Sequence, residues 1–158
     1  MGSPVIVEAT VCTKDAKRLQ NFELIKEFFS LYLESRDEFY KLWVDDEPIV
    51  YLPFTTEGVA VLKSSALVGW DEVRSFWDPI FDMHGKFDWT ITDVMFGEDP
   101  NVIITKARSD IETQTGESFN HVQLKYQGTY LQVFKFENGK VKSFEEYYDT
   151  DFLNKQYA

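Results

Sequence analysis

Cysteine is almost missing from this chain: Cys12 is alone, so no internal disulfide is possible and catalysis by that thiol, in a segment without periodicity, is not expected. Basic residues are also scarce. With 16 Lys and Arg against 27 Asp and Glu, the net charge is −11, which argues against nucleic acid and anionic membranes as partners. Solubility is the plain reading of that acidity. No apolar run approaches the ~20 residues of a membrane-spanning helix. No secretory leader is visible, so a cytoplasmic protein is expected. His84 and His121 are the only histidines, and no cluster has metal-ligand spacing. There is no phosphate-cradling glycine-rich loop, and no Ser or Cys stands in a recognisable nucleophile setting. Neither metal nor cofactor is expected. Repeats and low-complexity stretches are absent too.

Rings are what the chain has in plenty. Aromatic residues make up 16% of it, more than a core of this size needs, which suits a pocket walled by rings. One domain is the natural reading of 158 residues. Residues 1–19 carry no clear period and read as a flexible arm, leaving 20–158 as the domain. From Asn21 the pattern turns helical, with Phe22, Ile25, Phe28, Phe29 and Tyr32 on one face. A second helix is predicted over Arg36–Val44 and a third from Asp71, ended by Gly85. Strands are predicted at Ile49–Leu52, Phe87–Met95, Val102–Glu112, Ser118–Phe136 (bent at Gly128) and Val141–Asp149. Asn138-Gly139 marks a type I′ hairpin between the last two. Helices first and an antiparallel meander after is an α+β order.

Two segments carry the chemistry. Arg108-Ser109-Asp110 places a guanidinium and a carboxylate at i and i+2, on one face of a strand. Glu145-Glu146-Tyr147-Tyr148-Asp149 lies on the last strand. If Glu146 met the other two, carboxylate, guanidinium and carboxylate could give one proton and take another. The plainer reading of Arg-x-Asp is a solvated face with a surface ion pair, worth little. With Asn138-Gly139 at the turn, strand parity pairs Leu131 with Glu146, so Glu146 shares a face with Phe144, Leu131 and Val133. A bulge would exchange the faces, and Asp149 stays a second candidate.

The chain resembles the nuclear-transport-factor-2-like, or SnoaL-like, superfamily over residues 21–152. The resemblance rests on Leu42-Trp43-Val44-Asp45-Asp46 with Tyr51-Leu52-Pro53-Phe54, on Leu67–Val73, and on Val133–Val141 with Glu146-Tyr147-Tyr148-Asp149. It implies a cone-shaped, curved antiparallel sheet with about three N-terminal helices enclosing a pocket, and commonly a homodimer through the outer sheet face. The positions at which ketosteroid isomerases carry a tyrosine and a base hold Phe28 and Leu52, so that activity is not implied. Phenazine-biosynthesis and polyketide-cyclase members carry an acid where Glu146 falls, though Phe76 replaces a histidine. The limonene epoxide hydrolases are the most similar in site pattern. They use Arg-x-Asp on a middle strand, matched by Arg108 and Asp110, and an acid in a last-strand segment, matched by Glu146. Their water-holding Tyr and Asn are replaced by Ile49 and Tyr51, which leaves water or a substrate hydroxyl as the nucleophile.

The expected function is therefore cofactor-free epoxide opening on a lipophilic, polyketide- or terpenoid-like substrate. Asp110 is expected as acid, Glu146 as base (or the reverse), and Arg108 as the group that holds them. Tyr51, Tyr148, Phe28, Trp43, Trp77, Phe144 and Leu131 are the expected substrate contacts. A cyclase, dehydratase or isomerase using Glu146 alone is the same-fold alternative. A non-catalytic ligand-binding module is the alternative of another class.

Overall fold

The structure, a computed structural model, describes residues 4–54, 66–113 and 125–157. Its elements run β1 (Ile6–Val7), α1 (Ala16–Ser30), α2 (Arg36–Lys41), β2 (Ile49–Tyr51), β3 (Ala66–Val68), α3 (Trp70–Phe81), β4 (Gly85–Phe96), β5 (Val102–Thr113), β6 (Lys125–Tyr126), β7 (Thr129–Glu137), β8 (Lys140–Tyr147) and α4 (Thr150–Tyr157). The strands form one curved, unclosed sheet in the order β1-β4-β5-β7-β8-β2-β3, with β6 beside β5. The α+β class expected from the sequence is the observed one. The sheet is antiparallel except where β1 pairs with β4 and β2 with β8, both parallel. No helix among the described residues is long and apolar enough to cross a membrane.

The segment read as an arm holds more structure than its lack of period indicates. Ile6 and Val7 pair with Thr90 and Ile91 on β4. Helix α1 starts five residues before the apolar period does, because Asp15 caps it by accepting from the Arg18 amide at 2.9 Å. The period begins at Asn21–Phe22, where the helix first meets the sheet, and the turn before it is exposed. Helix α2 is shorter than expected: after Lys41 the chain leaves the helix, and Trp43 bridges to Val141. Helix α4 had no sequence signal.

The helices lay their rings on the inner face of the sheet. Phe28 sits at the centre, 4.8 Å from Phe39, 5.1 Å from Phe134 and 5.2 Å from Phe144 between ring centroids. Edge-to-face and tilted arrangements dominate, as ring quadrupoles favour. The chain between β6 and β7 breaks its ladder at Gln127-Gly128, the bend expected from the glycine. A Cβ on Gly128 would stand 2.3 Å from the Tyr126 ring, so only glycine lets that ring lie against the backbone.

Candidate active site

The β7–β8 hairpin decides which carboxylates can meet. Asn138 and Gly139 adopt φ of 51° and 77°, the left-handed values of a type I′ turn. Phe136 pairs with Val141 as parity requires, but Lys135 then pairs with Ser143, leaving Lys142 as an extra residue. This bulge exchanges the faces of everything after it. Glu146 pairs with Gln132, not Leu131, and shares the inner face with Phe144, Phe134 and Tyr130. Leu131 instead pairs with Tyr147 and is 40% exposed on the outer face.

The inner face of β5 carries Ile103, Thr105, Ala107, Ser109 and Ile111, all buried. By alternation its outer face carries Arg108 and Asp110. The expected triad is therefore not assembled, because Arg108 and Asp110 lie on the opposite side of the sheet from Glu146. The Arg108 side chain is 50% exposed and donates to Glu8 at 2.8 Å. Asp110 is 44% exposed and accepts from Lys86 at 2.7 Å, a bond that lowers its carboxyl pKa. Both line a surface depression of about 470 Å³ with Asp88, Thr90 and Gln127. Register explains the miss: the sequence pattern puts charges at i and i+2 but does not say which face is inner.

Glu146 is a different case. It is 6% exposed, and its Oε2 accepts from Gln132 Nε2 at 3.1 Å. Gln132 Oε1 accepts in turn from the Thr105 hydroxyl at 2.8 Å. Burial pushes the Glu146 carboxyl up to about 8, against the downward pull of the Gln132 bond. Tyr32, in the turn after α1, and Tyr130 on β7 lie within its field; burial and the Glu146 charge raise both phenols well above their ordinary value. Tyr130 accepts from the Ser109 hydroxyl at 2.9 Å. The result is one carboxyl that holds its proton at neutral pH, set among rings and phenols.

The remaining expected contacts divide by face. Phe28, Trp43, Trp77 and Phe144 are fully buried on the inner side. Tyr51 is 37% exposed on the outer side, next to Glu145 by register. Tyr148 stands 5.4 Å from the Tyr130 ring and lines a depression of about 360 Å³ with Phe54, Leu131, Tyr147 and Asp149. His121 lies outside the described residues. Gln132 and Thr105 join the site although neither is a candidate from the sequence. The available signal was a single polar residue in the series Tyr130, Gln132, Phe134, Phe136, legible only once that face is known to be inner. Among the described residues no group of three or more His, Cys, Asp or Glu could hold a metal ion.

No family model matches the chain, and no curated protein matches it. Solved structures do. A phenazine biosynthesis-related protein from Pseudomonas aeruginosa is similar at a TM-score of 0.71 and 18% identity, over 94% of this chain and 88% of that one. A protein from Jannaschia sp. CCS1 assigned to the SnoaL-like polyketide cyclases gives 0.70 and 10%, over 90% and 94%. The epoxide hydrolase/cyclase-like enzyme SalBIII, of pyran ring formation in the polyether salinomycin, gives 0.60 and 12%, over 82% and 91%. At such identities the likeness is one of fold, and the fold is that of the nuclear-transport-factor-2-like proteins.

Proposed function

We propose that this protein is a cofactor-free acid–base enzyme of small-molecule metabolism in which Glu146 is the proton-transferring group and the reaction is a net rearrangement, cyclisation or isomerisation, of a lipophilic substrate. The observation that carries this reading is the Glu146 carboxyl itself, buried on the inner face and holding a proton near neutrality. A catalytic acid works best with a pKa near the operating pH. Epoxide opening fits in its intramolecular form. Glu146 gives its proton to the epoxide oxygen as the ring C–O bond breaks. A hydroxyl oxygen of the same substrate bonds to the freed carbon, and that hydroxyl's proton returns to Glu146. Nothing is left over, so one carboxyl suffices. Hydrolysis by the two-carboxylate route would need a second acid beside Glu146, and Asp110 is on the other face.

The ring-lined interior supports a lipophilic substrate. The indole N–H groups of Trp43, Trp77 and Trp89 are buried without an acceptor among the described residues. Oxygen atoms of a ligand would satisfy such donors. The names of the similar structures point to the same broad chemistry: phenazine biosynthesis, polyketide cyclisation, epoxide hydrolysis or cyclisation. We also infer that two copies pair through the outer sheet face.

The test is a panel of lipophilic hydroxy-epoxides and β,γ-unsaturated ketones. Wild type is expected to form the cyclic ether or the conjugated ketone, and Glu146→Gln to be slower by roughly 10²–10⁴-fold. Activity should fall as pH rises past about 8, where the acid loses its proton. Equal turnover by the two proteins rejects the reading.

A further inference from the structure

Thr105, Gln132 and Glu146 form one cross-strand row. Register pairs Thr105 with Gln132 across β5 and β7, and Gln132 with Glu146 across β7 and β8. Directly opposed residues on one face bring their side chains into contact, and here the contacts are hydrogen bonds at 2.8 and 3.1 Å. Thr105 and Gln132 are fully buried. A buried polar row on a largely apolar face costs stability unless every group is satisfied, so it asks for a reason.

We propose that Thr105 and Gln132 are a positioning pair that makes proton transfer at Glu146 reversible: the Gln132 amide N–H stabilises the carboxylate left when the proton departs, and Thr105 holds the amide that way round. This rests on the reading of Glu146 as the reacting group.

The physical need is plain. Burial alone would lock the carboxyl in its neutral form, since a charge among rings is poorly solvated. A group that gives a proton and takes another must visit both states within reach of working pH. Among the described residues, the titratable groups around Glu146 are Tyr32 from the turn after α1, Tyr130 from β7 and Tyr126 from β6, with Asp149 acting on Tyr126. None is a cation. The carboxylate's stabilising donor among the described residues is therefore the Gln132 amide. An amide has one donor end and one acceptor end. The Thr105 hydroxyl donates to the acceptor end and so turns the donor end toward Glu146. The donor bonds Oε2, which leaves Oε1 to carry the proton and meet the substrate. A fixed donor aimed where charge appears needs no reorganisation when the proton moves.

The experiment is titration of the full chain carrying ¹³C-labelled glutamate, followed by NMR from pH 5 to 10. The Glu146 signal is identified by its loss in Glu146→Gln. Gln132→Met should raise its midpoint by about one pH unit above wild type, since a lost hydrogen bond to a charged group is of that size. Thr105→Val should move it the same way by less, and Thr105→Ser should restore the wild-type midpoint. Should Gln132→Met fail to fold, the two Thr105 variants still decide. An unmoved midpoint in Thr105→Val, or a Thr105→Ser midpoint no nearer wild type than that of valine, overturns the proposal even if those variants melt earlier. The titration needs no substrate, so its failure is distinct from a failure of Glu146 to catalyse.

Discussion

A carboxyl that is neutral when folded and ionised when unfolded makes stability depend on pH in a definite direction. Glu146 titrates near 8 in the folded protein and near the ordinary 4.5 when unfolded. Between those values the folded state binds the extra proton. Its contribution is thus fully present below the unfolded value and lost as pH rises through the folded one. Wild type should lose roughly 3–5 kcal/mol relative to Glu146→Gln between about pH 5 and pH 9. Urea unfolding of both proteins across that range measures it, and parallel curves would mean an ordinary carboxyl. Arg108 and Asp110 are the contrast. Their partners, Glu8 and Lys86, are half-exposed surface groups, so such pairs contribute about 0–1 kcal/mol. Arg108→Ala and Asp110→Asn should each leave stability within about 1 kcal/mol and turnover unchanged; a large loss of turnover would restore the triad reading. The sequence made the acid at 146 visible and hid its partners. Acid-rich strand ends stand out by charge, whereas Gln132 and Thr105 matter only through the face they occupy.

At the scale of the element, the hairpin turn was legible and the bulge one step beyond it was not. Asn-Gly encodes positive φ, a local property that needs no partner strand. The bulge at Lys142 is a relation between two strands, settled by what each side buries. Without it Phe144 and Glu146 would face outward with Leu131 and Val133, and Phe134 would lose Phe144 at 5.2 Å. The helix bodies were legible from their apolar stripes; their ends were not, because α1 starts on a cap in an exposed turn and α4 has a short, weakly apolar sequence. Gly85 was expected as a helix end and instead opens β4, with φ of 130°. An added Cβ there would lie 2.1 Å from the Glu112 carbonyl oxygen, on the neighbouring strand that must hydrogen-bond it. Gly85→Ala is therefore expected to cost about 2 kcal/mol or more, from a forbidden backbone angle and a clash with main chain. Thermal unfolding checks this, and a melting point within one or two degrees of wild type would contradict it.

On the scale of the whole molecule, the sheet's outer face and the net charge pull against each other. Met95, Ile104, Val133 and Tyr51 follow one another across β4, β5, β7 and β2, interrupted on β8 by Glu145. Glu145 accepts from the Tyr147 hydroxyl at 2.6 Å, so the stripe's one acid has a partner. Leu131 and Val68 widen the apolar area, and both are substantially exposed in the single chain. We infer that this apolar stripe is where two copies associate. Against it stands the charge of −11 on each copy, which must be brought together with its like. Salt screens that repulsion and leaves apolar burial intact. The protein should therefore run at twice its 18.5 kDa chain mass in light scattering, with dissociation at low concentration suppressed as salt rises from about 0.05 to 0.5 M. Val133→Glu sets a second acid beside Glu145 on the stripe and should yield monomers while keeping the Glu146 titration. A dimer that weakens with salt would place ion pairs, not this stripe, at the interface. A wild-type monomer at every concentration would reject pairing through this face.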